Sequence, residues 1–185
     1  ASLEDEFGIE IEFFDLGGGY ASPNTLHKHL MPGLTTCPSY EQYADAICNP
    51  LKKSLDQFVG NPRLILEPGR SIVDECMFLL TTVVSTKRSA TGSKVVIVDA
   101  GVNLLPTAFY FKHDISPIHS AGMSVEEATI CGPLCMQIDV LRQSMRLPPL
   151  QKGHVLVIKN VGAYNFSQSM QFIFTRPAIV LLNNG

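Results

Sequence analysis

Apolar positions along the chain fall into two textures. From Ile9 to Leu16 they form a near-continuous run, broken by Glu10, Glu12 and Asp15 and ending at Gly17-Gly18-Gly19. Such a run predicts a buried strand entering a tight loop. Residues 21–38 contain three prolines and no clear period, so they read as loop. Ser39 followed by Gln42 forms a reciprocal cap, and Tyr40, Tyr43, Ala44, Ile47, Leu51, Leu55 and Phe58 then recur at helical spacing until Gly60. Pro50 is predicted to kink or split that helix. Arg63–Glu67 reads as a second strand, and strand, helix, strand in this order predicts a parallel βα architecture.

Past residue 71 the spacing shortens. The runs Phe78–Thr86, Lys94–Val98, Glu127–Cys131, His154–Lys159 and Phe172–Leu182 are each bounded by turn residues. They predict an antiparallel barrel or sandwich. The domain junction is placed at 71–75, dividing the chain into residues 1–71 and 72–185.

Composition narrows the function classes. The chain has 185 residues, 45% of them hydrophobic, and a formal charge of −3, which suits a globular core and gives no basic field for a phosphate backbone. No apolar run reaches the roughly 20 residues a bilayer span needs. The start Ala1-Ser2-Leu3-Glu4-Asp5-Glu6 has neither an initiator Met nor a signal segment, so the chain is expected to begin inside a longer protein. Five scattered cysteines without a CxxC pair favour neither a disulfide framework nor a zinc knuckle, and imply a reducing, cytoplasmic setting.

Four short motifs could bear chemistry, and each has a plain structural alternative. Gly17, Gly18 and Gly19 could let successive amides point at one anion, or could simply make a turn. Glu67-Pro68-Gly69-Arg70 offers a guanidinium fork and a carboxylate at a strand end, or a surface ion pair. Cys131 and Cys135 are spaced CxxxC, a poor match to zinc, and either thiol is reactive only if exposed and tuned. Tyr164, in Gly162-Ala163-Tyr164, could bind phosphate or sit in a core with its hydroxyl satisfied. His27 and His29 lack a nearby third ligand and read as loop histidines.

In order along the chain, these motifs carry more than each does alone. Phe14-Asp15-Leu16-Gly17-Gly18-Gly19-Tyr20, Leu66-Glu67-Pro68-Gly69-Arg70, Val98-Asp99-Ala100-Gly101, Gly132-Pro133-Leu134-Cys135 with Asp139, Gly162-Ala163-Tyr164 and Arg176-Pro177 resemble the diaminopimelate/ornithine decarboxylase family, over essentially the whole chain. The resemblance implies the C-terminal part of a (β/α)8 barrel followed by a β-domain, and pyridoxal 5'-phosphate as cofactor. It implies that Gly17, Gly18, Gly19, Gly69, Arg70 and Tyr164 hold the phosphate and that Glu67 faces the pyridine nitrogen. Cys135 is implied as the proton donor, reaching the active site of a partner in a homodimer. The activity implied is decarboxylation of an amino acid through a quinonoid intermediate.

Departures from the family pattern shape the expected substrate. The cofactor lysine of the family lies in the first half of the barrel, and no lysine here sits in a matching motif, so the chain alone is expected to be inactive. Met136 stands where relatives that grip a distal amine are usually acidic. Asn103-Leu104-Leu105-Pro106 lacks the arginine that many diaminopimelate enzymes carry, and Ala100 replaces the acid of ornithine-type enzymes. An unpaired buried ammonium costs several kcal/mol, so an atypical or conjugated amino acid is expected as substrate. Competing readings are a non-catalytic homologue acting as a binding or regulatory partner, and a racemase of the same fold group. Glu67 argues against the racemase, because that branch places an arginine near the ring nitrogen.

Overall fold

The computed structural model describes residues 6–27, 37–54, 58, 60–90, 92–119 and 124–183. Contacts divide the chain into two compact units: Ala1–Pro23 with Met31–Ile72, and Asn24–Leu30 with Val73–Gly185.

The first unit is a strand–helix–strand arrangement. β1 (Phe13–Asp15) and β2 (Arg63–Ile65) pair in parallel, Phe13 opposite Arg63 and Asp15 opposite Ile65. Between them runs α1 (Tyr40–Ser54). Its start follows from the reciprocal cap: the Gln42 amide donates to Ser39 Oγ at 3.2 Å and the Ser39 amide to Gln42 Oε1 at 2.8 Å. A backbone amide and the Ser39 side chain also hold the Glu41 carboxyl below its ordinary range. Pro50 sits inside α1 without dividing it. The bond it deletes falls late in the helix, after the cap and the two tyrosine anchors described below have fixed its N-terminal half. Both strands leave large apolar side chains exposed, among them Phe13, Leu64 and Ile65, and Leu66 just past β2 is exposed too.

The second unit holds a six-stranded sheet in the order β5-β8-β3-β4-β6-β7. These strands are β3 (Leu79–Arg88), β4 (Lys94–Val98), β5 (Ile115–Pro117), β6 (Glu126–Cys131), β7 (Val140–Leu147) and β8 (Val155–Ile158). Alternating burial along β4 and β8 turns one face inward. Val83, Val96, Val98, Ile130, Leu141, Leu156 and Ile158 form the centre of the core, each no more than 1% exposed.

Two expectations need correction here. The sheet is mixed rather than antiparallel, because β4 and β6 pair in parallel, Lys94 opposite Ala128 through Ile97 opposite Cys131. A parallel pair requires a long crossover, and the segment between β4 and β6, which includes the 3-10 turn Pro106–Phe109 and β5, supplies it. The run Phe172–Leu182 forms no strand; it contains only an isolated bridge between Phe172 and Phe174, with Ile173 at φ 65°. Pro177 has no amide to donate to a ladder.

Candidate functional site

At the C-terminal ends of β1 and β2 the two glycine-bearing loops lie side by side. The Leu16 amide donates to the Ile65 carbonyl at 3.1 Å, and one step further the Glu67 amide donates to the Gly17 carbonyl at 2.9 Å. Asp15 Oδ1 accepts the Gly17 amide at 2.8 Å, which turns the chain out of the strand. The approach is tight: a Cβ on Gly18 would stand 2.9 Å from the Glu67 carbonyl oxygen. Gly17 and Gly19 adopt φ of 65° and 89°, and beside each the space a side chain would take is open. Among the described residues, the Gly18 and Gly19 amides have no hydrogen-bond acceptor. Glu67 is exposed at the same strand end, and Gly69 and Arg70 follow it on the loop into the four-residue helix α2 (Arg70–Val73).

Helix α1 holds both loops. Tyr40 and Tyr43, three residues apart, share a face. The Tyr43 hydroxyl accepts the Ala21 amide at 3.0 Å, just beyond the glycines, and its ring meets Tyr20 edge-on at 5.0 Å. The Tyr40 hydroxyl donates to the Ser71 carbonyl at 2.6 Å, just beyond Arg70. Helical periodicity placed these tyrosines on one face; their role as anchors has no local sequence signal, since each partner lies more than 20 residues away.

The second unit carries Cys135, Met136 and Tyr164. Cys135 and Met136 are exposed at the tip of a loop between buried Leu134 and buried Asp139. Cys131, at the end of β6, differs: burial foremost, then the nearby negative charge of Asp139, pushes its thiol above the ordinary range, against a smaller pull from Lys87. The exposed Cys135 is therefore the thiol of this pair available for chemistry.

Tyr164 adopts φ 65°, ψ −10° at the start of α3 (Asn165–Gln168). Its neighbour Asn165 is buried and fixes the turn. Asn165 Oδ1 accepts the Thr107 amide at 3.2 Å and its hydroxyl at 2.6 Å, while Nδ2 donates to the Val161 carbonyl at 3.1 Å. The fully buried His113 ring closes the network, with Nε2 2.8 Å from Thr107 Oγ1 and Nδ1 3.1 Å from the Lys159 carbonyl. His27 Nε2 lies 2.6 Å from the Ala108 carbonyl, and His29 lies outside the described residues.

The structure thus brings together Gly17, Gly18, Gly19, Glu67, Gly69 and Arg70 in the first unit. In the second, Cys135 and Met136 share a loop tip and Tyr164 heads a separate helix. Sequence reasoning missed Tyr40, Tyr43 and Asn165 as positioning groups, and assigned no role to Asp139.

Comparison with known proteins places the chain in a family. Residues 1–74 match the pyridoxal-binding domain of pyridoxal-dependent decarboxylases, and residues 70–162 match their C-terminal sheet domain. The chain belongs to the pyridoxal-dependent decarboxylase family. It is 35% identical to the diaminopimelate decarboxylase of Methanothermobacter thermautotrophicus over 99% of its own length and 42% of the relative's. For that of Helicobacter pylori the figures are 36%, 95% and 40%. Among solved structures, diaminopimelate decarboxylase from M. jannaschii aligns with TM-score 0.77 at 36% identity, covering 91% of this chain and 37% of that one. The Helicobacter pylori enzyme complexed with L-lysine aligns with TM-score 0.73 at 31% identity, covering 92% and 39%. The chain therefore spans about two fifths of the length of the relatives it matches.

Proposed function

We propose that the chain forms part of a pyridoxal-phosphate-dependent amino-acid decarboxylase, with residues 1–71 contributing to the cofactor-binding barrel and residues 72–185 forming the β-domain. The observation that carries this reading is the pairing of Gly17 with Glu67 across two parallel strand ends. It sets the Gly18 and Gly19 amides, which have no acceptor among the described residues, beside a loop that bears a carboxylate and a guanidinium. Those residues fit the cofactor: backbone amides and Arg70 suit a phosphate, and open space flanks Gly17 and Gly19.

Gly17, Gly18, Gly19, Gly69, Arg70 and Tyr164 would hold the phosphate. Pyridoxal phosphate, when bound, supplies an electron sink for the pair left as CO₂ departs. The Glu67 carboxylate would hold a proton on the pyridine nitrogen, keeping the ring cationic. Cys135 would deliver a proton to the substrate Cα, in a homodimer whose sites are shared between subunits. Met136 beside it supplies apolar contact and no charge, which favours an amino-acid conjugate or an atypical amino acid over one with a free distal ammonium. The diaminopimelate decarboxylases among its relatives support an amino-acid substrate, and the cytoplasm is the proposed location. Among the described residues no helix is long and apolar enough to cross a membrane.

The test is CO₂ release by the complete, cofactor-loaded polypeptide. A panel of diaminopimelate, lysine, ornithine, arginine and their N-acyl conjugates serves as substrate. Turnover of a conjugate, abolished by Glu67→Ala, supports the reading. Cofactor binding without turnover of any panel member would count against a decarboxylase, and efficient turnover of free diaminopimelate would overturn the reading of Met136.

A further inference from the structure

We infer that Asp139 is the positioning residue for Cys135, its buried carboxylate fixing the loop that presents the thiol. The inference rests on the reading of Cys135 as proton donor. Its geometry, however, stands apart from that reading.

The loop closes on itself. The Gly132 amide donates to the Asp139 carbonyl at 2.9 Å, and the Asp139 amide donates to the Met136 carbonyl at 3.1 Å. Inside this closure the Asp139 side chain is only 2% exposed. Its Oδ2 accepts the Leu134 amide at 2.7 Å, one residue before Cys135. Its Oδ1 accepts the Val102 amide at 2.8 Å, from the turn that follows β4. Both oxygens are thus engaged by amides from two different segments, at the short distances of charge-assisted bonds.

Two glycines make room for the carboxylate. A Cβ on Gly132 would collide with both Asp139 oxygens, and one on Gly101 would stand 2.9 Å from Asp139 Oδ1 and from Asn103 Oδ1. The clamp also reaches further along the chain. Asn103 Nδ2 donates to the Met170 carbonyl at 3.3 Å, and the Met170 amide donates to the Asn103 carbonyl at 2.9 Å. The Cys135 loop is therefore tied through Asp139 and Asn103 to the segment that follows α3, the helix Tyr164 opens. Asparagine is nearly the same shape but has one acceptor. Its amide nitrogen would face a backbone N–H, so one of the two ties must break.

The experiment follows alkylation of single cysteines by iodoacetamide in the complete polypeptide, from pH 6 to 9, with exposed Cys76 as internal reference. In Asp139→Asn the Cys135 rate relative to Cys76 is expected to change by roughly threefold or more, since thiol reactivity follows exposure and local charge. Asp139→Glu should not restore it, because a longer side chain cannot fit between Gly101 and Gly132. A folded Asp139→Asn with an unchanged Cys135-to-Cys76 ratio overturns the inference, whatever its melting temperature, because a purely structural role would lower stability alone. Should Asp139→Asn not fold, Gly101→Ala, which crowds Oδ1 and leaves the charge, decides by the same ratio. Failure of the underlying reading shows separately: Cys135→Ala would then retain full CO₂ release on the substrate panel.

Discussion

The Glu67 amide donates to the Gly17 carbonyl at 2.9 Å, and this one bond carries the pairing of β1 and β2 past their ends into the loops. It makes two distant motifs into one surface. The Gly18 backbone lies so near the Glu67 carbonyl that no side chain fits between them. Gly18→Ala must push one loop away, and overpacking of this kind costs about 1–3 kcal/mol. Affinity for pyridoxal phosphate is expected to fall by about tenfold or more, measured by titrating the cofactor's absorbance.

Tyr40→Phe removes one hydrogen bond, the tie to the Ser71 carbonyl, and leaves the ring in place. A net loss of about 1 kcal/mol is expected. Hydrogen exchange at residues 71–72 should accelerate in this variant, while the amide of Ala21, held by Tyr43, keeps its protection.

Asn165→Ala leaves the Thr107 amide and the Val161 carbonyl without their buried partner, and the Thr107 hydroxyl with His113 alone. Unsatisfied buried groups cost about 1–3 kcal/mol each, so a loss of about 2 kcal/mol or more is expected in a urea titration. Tyr164→Phe leaves the Asn165 bonds that set the backbone turn in place, so it should weaken cofactor binding and lower the urea midpoint less than Asn165→Ala does.

How much of this was legible in the sequence depended on whether the cause was local. The cap at Ser39 and Gln42 was readable because both partners sit within one turn, and the apolar stretch Lys94–Val98 is bounded by turn residues that fix β4. β7 escaped notice: Arg142, Gln143, Ser144 and Arg146 dilute its apolar pattern, and a register shift near Ser144, at φ 49°, interrupts the alternation. Phe172–Leu182 has the composition of a strand, but pairing rather than propensity decides strand formation. The motifs of the site could be picked out individually. Their juxtaposition across β1 and β2, and the clamp at Asp139, depend on contacts that span dozens of residues.

The raised thiol of Cys131 gives a pH dependence with a definite sign. Burial, then Asp139, favours the neutral thiol in the folded state, so its folded pKa lies above the unfolded value of about 8.5. The contribution to stability is complete below that pH and is lost as pH rises through the folded pKa. Wild type should therefore lose stability relative to Cys131→Ser between neutral pH and pH above 9, read from urea midpoints. Alkylation near pH 7.5 should label Cys135 and spare Cys131.

A crystal structure of the complete polypeptide with pyridoxal phosphate decides whether the loops after β1 and β2 form one cofactor cradle. The phosphate is expected on the Gly18 and Gly19 amides with Arg70 beside it, and the pyridine nitrogen is expected to face the Glu67 carboxylate. A phosphate bound away from these glycines, or a ring nitrogen facing another group, would contradict it.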